Sequence, residues 1–214
     1  GNGRWAKARG KNKLEGHRQG AVTVKNIVTS ARKAGIKYLT LYAFSYENWK
    51  RPSVEVNGLF KLLEDYCKSE MNTMIDEDIQ FHVIGEWGKL PGRTRKILKE
   101  TARRTEHCDS MRLTLALNYS GRREIVNAAN LLIKDGVKRV TEKGFEKRMF
   151  TFDMPDPDLL IRTSGELRVS NFLLFQCAYS EFFFTNTLWP DFQEEEFLNI
   201  LEDYKKRDRR YGGA

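Results

Sequence analysis

The feature that most constrains this chain is the alternation of short apolar runs with longer stretches of helical spacing. "YLTLYAF" (38–44), "IQFHVIGE" (79–86), "RLTLALNY" (112–119) and "LLIRT" (159–163) are rich in β-branched and aromatic residues. They read as strands buried on both faces rather than as half-exposed ones. Between them, "TVKNIVTSARKAG" ends on Gly35, a residue suited to closing a helix. "VNGLFKLLEDYCKSEMNTMI" puts Leu59, Leu62, Leu63, Tyr66, Cys67 and Met74 on one apolar face, and "REIVNAANLLIKDG" again ends on glycine. Strands alternating with helices predict an α/β fold with a mainly parallel central sheet flanked by helices. No repeat, low-complexity tract or linker interrupts the pattern, so residues 1–214 read as a single domain.

Composition narrows the function classes. An apolar fraction of 40% and an aromatic fraction of 12% belong to a globular chain, not a disordered one. The formal charge of +8 brings three polyanionic partners into view: nucleic acid, a phosphorylated small molecule and an acidic membrane surface. Cys67, Cys108 and Cys177 are scattered and form no CxxC pair. That points to a reducing compartment and away from a disulfide framework or structural zinc. No run reaches the roughly 18–20 apolar residues of a membrane span, and no signal-peptide core is visible.

Ligands of open parallel sheets sit outside the carboxyl ends of the strands, so the polar strand exits carry the chemistry. Four such stretches, "GNGRW", "SYENWKRP", "SGRRE" and "SGELRVSN", hold or adjoin Arg4, Arg51, Arg122, Arg123, Arg162 and Arg168, which are expected to converge on one rim. Gly1-Asn2-Gly3 before a helix start fits a phosphate cradle, because glycines let backbone N–H groups approach an anion; on these residues alone an ordinary turn before a surface helix is the stronger reading. Arg162, Arg168 and Ser170 surround a glycine turn and suit a diphosphate, which offers several oxygens to charged donors; solvated surface arginines are the alternative. Ser45, Glu47, Asn48, Trp49 and Arg51 could bind a ligand, or Trp49 could pin the loop to the core. Glu181, between Tyr179 and three phenylalanines, needs a partner: an arginine or a metal ion. His17 follows Gly16 in the same polar rim. No Ser-His-Asp triad, Walker loop or dinucleotide fingerprint presents itself.

Taken in order, these stretches resemble the cis-prenyltransferase family, bacterial type. The matching text is "GNGRWA", "GH" at 16–17, "LTLYAFSYENWKRP", "EV" at 55–56, "IGE", "LALNYSGRREI", "PDPDLLIRTSGELRVSNFLL", "YSEFFF", "LWPDF" and "RRYGG". The resemblance implies an enzyme that joins isopentenyl diphosphate to an allylic diphosphate, usually farnesyl diphosphate, with Mg²⁺. Each new double bond is cis, and the expected product is undecaprenyl diphosphate for the cell-wall lipid carrier; a shorter product is the alternative. It further implies that Gly1, Asn2, Gly3 and Arg4 cradle the allylic diphosphate with Trp5, Lys13 and His17 nearby. Arg162, Arg168, Val169 and Ser170 would bind isopentenyl diphosphate. Ser45, Tyr46, Glu47, Trp49 and Arg51 belong to a loop that closes on the substrates, with Asn48 at the position of proton acceptor and Glu181 at that of a magnesium ligand. An aspartate directly before Gly1, at the end of a first strand, is expected to assist departure of the diphosphate. Lys13 stands where arginine is usual, Tyr46 where a smaller residue is common, and 136–147 is shorter than usual.

Such an enzyme needs a dry channel for its product. The helix with Leu59, Phe60, Leu62, Leu63 and Tyr66 is the candidate wall of a hydrophobic tunnel between sheet and helices. The resemblance also implies a homodimer in which Arg210 of "RRYGG" reaches towards an active site, and a cytoplasmic protein in peripheral contact with membrane lipid. Nucleic acid is not expected, because the basic residues lie at separate strand exits rather than along one groove-facing element. A non-catalytic partner subunit would be expected to lose Asn48, Arg162, Arg168, Ser170 and Glu181, all of which are present.

Overall fold

The computed structural model describes residues 1–207; Arg210 and the rest of "RRYGG" lie outside them. Its elements in order are α1 (Asn2–Ala8), α2 (Lys13–Lys33), β1 (Tyr38–Ser45), α3 (Ser53–Asp76), β2 (Ile79–Ile84), α4 (Gly92–Arg104), β3 (Met111–Tyr119), α5 (Gly121–Lys134), α6 (Glu142–Glu146), β4 (Leu159–Arg162), β5 (Glu181–Phe184) and α7 (Glu194–Lys205). A 3₁₀ turn over Tyr46–Lys50 follows β1 directly.

The four strands expected from the sequence are present, with ends shifted by one or two residues. β3 is central in a parallel sheet of order β1-β3-β2, with Thr40 opposite Thr114 and Phe81 opposite Leu113. All but one of its residues are buried, which is why its sequence shows no polar alternation. The expected single sheet is divided. β4 pairs in parallel with β5, Leu159 opposite Glu181 and Arg162 opposite Phe184, in a separate two-stranded sheet. The free edges of β1 and β4 both border one cavity of about 1100 Å³.

Local chemistry starts and stops the helices. Asn12 caps α2 by accepting from Glu15 N at 3.0 Å, while the Glu15 carboxylate accepts from Asn12 N at 3.0 Å. Past its end, Gly35 takes φ 78° and Ile36 N donates to Ala31 O. α2 and α3 bury Ile27, Val28, Val56, Phe60 and Met74 in the main core with Leu113 and Leu115 of β3. A second cluster forms around Tyr119, Leu160 and Leu173, with Tyr42 and Phe172 packed against it. The three cysteines are free and buried. Among the described residues, no helix is long and apolar enough to cross a membrane.

Candidate active site

Asn2 opens α1 and is wedged against α2. A Cβ at Gly16 would stand 2.2 Å from the Asn2 carbonyl oxygen, and one at Gly20 would stand 2.8 Å from Asn2 Oδ1. Two glycines one helical turn apart therefore let α1 close on α2. Asn2 Nδ2 donates to His17 Nδ1 at 3.0 Å, which puts the ring proton on Nε2, 3.6 Å from Glu55 Oε1. Burial, then the charge of Arg51, lowers the His17 pKa from 6.5, so the ring is neutral at neutral pH. Glu55 also pairs with Lys13 at 3.2 Å and Arg51 at 3.0 Å. Burial works against its ionisation, but these two cations outweigh it and hold its carboxyl below the ordinary value.

The second half of the site follows β4. Arg162 stands at the strand's end with Nε buried and, among the described residues, without a hydrogen-bond partner. Burial, then the charge of Arg168, lowers its pKa. Arg4 and Arg168 share one carboxylate, Glu166, at 3.0 and 2.5 Å. The backbone here is strained: Ser164, Ser170 and Asn171 have φ of 76°, 50° and 63°.

Both halves meet the cavity. Its polar end carries Gly1–Gly3, His17, Arg51 and Arg162, and its apolar body includes Val24 and Ile27 of α2 with Leu59, Leu63 and Tyr66 of α3. Among the described residues four buried side-chain atoms lack a partner: Asn2 Oδ1, Arg162 Nε, Ser164 Oγ and Gln176 Oε1. All four belong to residues that line this cavity. An unsatisfied buried polar group costs roughly 1–3 kcal/mol. Unpartnered polar atoms on a cavity wall are what a polar ligand would relieve.

Other expected site residues differ in their surroundings. Trp5 is buried outside the cavity lining and donates from Nε1 to Asp191 Oδ1 at 2.7 Å, with Arg9 over its ring. Trp49 pins its turn to the core, as one of the two sequence readings had it: Nε1 donates to Asn118 Oδ1 at 2.8 Å and the ring packs on Phe44 and Phe60. Asn48 lines the cavity, but its Oδ1 accepts from Ser45 N at 3.1 Å. Tyr46 lies under Arg123, which pairs with Glu86 at 2.6 Å rather than joining the arginines of the cavity mouth. Val169 lines the cavity. Glu181 begins β5, at the opposite end from Phe184 and Arg162, and pairs with Arg207 at 2.6 Å. Among the described residues no three His, Cys, Asp or Glu side chains gather to hold a metal ion.

Sequence reading assigned no role to Glu55, Ser164, Glu166 or Asn171. Glu55 could have been found from its i,i+4 spacing after Arg51, and Glu166 from its place between two arginines. Asn171 carried no local signal.

The family model described as undecaprenyl diphosphate synthase matches residues 1–212. An isoprenyl transferase of Fusobacterium nucleatum is 47% identical over 214 residues, covering 100% of this chain and 93% of that protein. The (2E,6E)-farnesyl-diphosphate-specific ditrans,polycis-undecaprenyl-diphosphate synthase of Micrococcus luteus is 46% identical over 219 residues, covering 100% of this chain and 88% of its own. Among solved structures, lavandulyl diphosphate synthase from Lavandula x intermedia, in complex with dimethylallyl diphosphate, superposes with a TM-score of 0.95. It is 36% identical and the match covers 99% of this chain and 94% of that one.

Proposed function

The chain belongs to the undecaprenyl diphosphate synthase family, and on that premise we propose that it condenses isopentenyl diphosphate with an allylic diphosphate, farnesyl diphosphate first, to build undecaprenyl diphosphate. The observation that supports this most directly is that unpartnered buried polar atoms, among them Asn2 Oδ1, Arg162 Nε and Ser164 Oγ, line a cavity with a long apolar wall. Two charged heads and a growing hydrocarbon tail need that division of chemistry.

The allylic diphosphate is assigned to Gly1–Gly3, His17, Arg51 and Arg4. The first N–H groups of α1 have no intrahelical acceptor and are available to phosphate oxygens. Isopentenyl diphosphate is assigned to Arg162, Arg168 and Ser170. The alkene of isopentenyl diphosphate attacks the allylic C1, the C1–O bond breaks and the diphosphate departs with the electron pair. Loss of a C2 proton then forms the new double bond. Preorganised guanidinium and N–H donors stabilise the leaving charge, and holding both substrates together supplies proximity. Neutral His17 donates from Nε2 to phosphate. Asparagine is a poor base, and Asn48 Oδ1 is already an acceptor within its own turn. The departing diphosphate is therefore the better proton acceptor, with Asn48 shaping the turn.

Mg²⁺ belongs to this reading as an ion that diphosphates carry on their oxygens, usually with one or two carboxylates and water. The described residues do not assemble a cage for it, and Glu181 is held by Arg207. Among this chain's own residues, stabilisation of the leaving group is assigned to the arginines and N–H groups.

Each isoprene unit adds five carbons, whose burial is worth roughly 3–4 kcal/mol at about 0.8 kcal/mol per CH₂. The apolar body of the cavity is the proposed acceptor for that chain. A lipid product and a charge of +8 support peripheral contact with anionic membrane lipid. The homodimer rests on the family resemblance, and sedimentation as a fully active monomer would exclude it. Incubation with farnesyl and isopentenyl diphosphates, with products read by mass spectrometry, tests the central reading. A ladder of prenyl diphosphates is expected, and absence of any condensation product would overturn it.

A further inference from the structure

Asn171 ends the segment that carries Arg168, Val169 and Ser170, and it joins three strand exits through one carboxamide. Oδ1 accepts from Arg122 N at 2.9 Å, at the start of α5. Nδ2 donates to Ser120 Oγ at 2.7 Å and to Glu47 Oε1 at 2.9 Å, in the turn after β1. The Asn171 carbonyl also accepts from Gly121 N at 2.8 Å.

These bonds are unequal. Those to Ser120 and the start of α5 secure Asn171 at the end of β3, and the Ser120 bond is partly buried. The one to Glu47 is exposed to water and crosses to the turn that carries Asn48 and Arg51. That turn has other anchors: Trp49 on Asn118, and Tyr46 under Arg123. Among the described residues, the Glu47 bond is the one hydrogen bond that ties it to the segment with Arg168 and Ser170. Asn171 lines no part of the cavity.

Resting on the two-diphosphate reading above, we propose that the Glu47–Asn171 hydrogen bond is a latch between the two halves of the site. Asn171 is a positioning residue. It holds the turn with Arg51 in register with the segment carrying Arg168 and Ser170, without touching either substrate.

The chemistry of the bond makes the latch testable by swapping donor and acceptor. In N171D the Arg122 N–H is still accepted and the Ser120 hydroxyl can turn to donate, but a carboxylate now faces Glu47. In E47Q the Gln oxygen still accepts from Asn171. In the double variant E47Q/N171D the Gln N–H donates to the Asp, and the bond returns with reversed polarity. Hydrogen exchange over residues 45–51, measured without substrate, reads the latch directly. Fast exchange is expected in N171D, with near-parent exchange in E47Q and in E47Q/N171D. Kinetics should follow: KM for isopentenyl diphosphate rises about tenfold in N171D and returns to within about threefold in the double variant. Equal exchange in N171D and E47Q/N171D would overturn the latch. So would exchange restored in the double variant with KM still at the N171D level. Restored exchange in a protein that forms no prenyl diphosphate would leave the contact standing and overturn the two-diphosphate reading instead.

Discussion

Arg162 and Arg168 look alike in "RTSGELR", and the structure separates them. Arg168 is 65% exposed and paired with Glu166, whereas Arg162 Nε is buried without a partner. A charge-assisted hydrogen bond is worth roughly 1.5–3 kcal/mol. Arg168→Ala should therefore raise KM for isopentenyl diphosphate about tenfold, seen in steady-state kinetics with farnesyl diphosphate saturating. Arg162→Met should behave differently in two assays. Activity should fall about a hundredfold, because the donor that lacks any protein partner is gone. Stability without substrate should rise by up to about 1 kcal/mol, because a buried Nε–H that lacks a partner has been replaced by apolar surface. Denaturant unfolding without ligand reads the second effect, and a less stable variant would mean that Arg162 has a structural partner.

At the scale of elements, β3 was legible because a central strand needs apolar residues on both faces, and "RLTLALNY" has them. β5 was not. "EFFF" is four residues long, and what makes it a strand is its pairing with β4. The contact between α1 and α2 was equally hidden. Gly16 and Gly20 read as poor helix formers, yet they are the sites where α1 comes closest. On propensity alone Gly16→Ala should stabilise α2. Its new Cβ would lie 2.2 Å from a backbone oxygen that a flexible side chain cannot relieve. Overpacking of that kind typically costs about 1–3 kcal/mol, so net destabilisation is expected, with displacement of Asn2 and loss of most activity. Circular dichroism in urea measures the sign. A stabilised, active Gly16→Ala would show that α1 need not close on α2.

The whole molecule responds to pH through groups that lie far apart in the chain. Burial holds His17 and His82 below 6.5. The unfolded chain binds protons at both positions as pH falls through 6.5, while the folded chain binds them only at lower pH, so stability declines from there downward. Depressed carboxylates such as Glu55 and Glu86 add a second loss only below 4.5. His82→Gln should flatten the dependence of unfolding free energy on pH below 6.5, with little change at pH 8. An unaltered slope would mean that His82 titrates alike in both states. The sequence by itself determined the alternation of strand and helix, the polar strand exits and the kinds of charge placed there. Those properties follow from side-chain periodicity and residue type, which act over a few neighbours. The tertiary structure alone decided which charges are compensated. Arg4 meets Glu166, Glu47 meets Asn171 across 124 positions, and Arg162 Nε meets no acceptor among the described residues. Desolvation and hydrogen bonding depend on what lies within about 3–4 Å in space, and only the packing of α1, β1 and β4 around one cavity sets those distances.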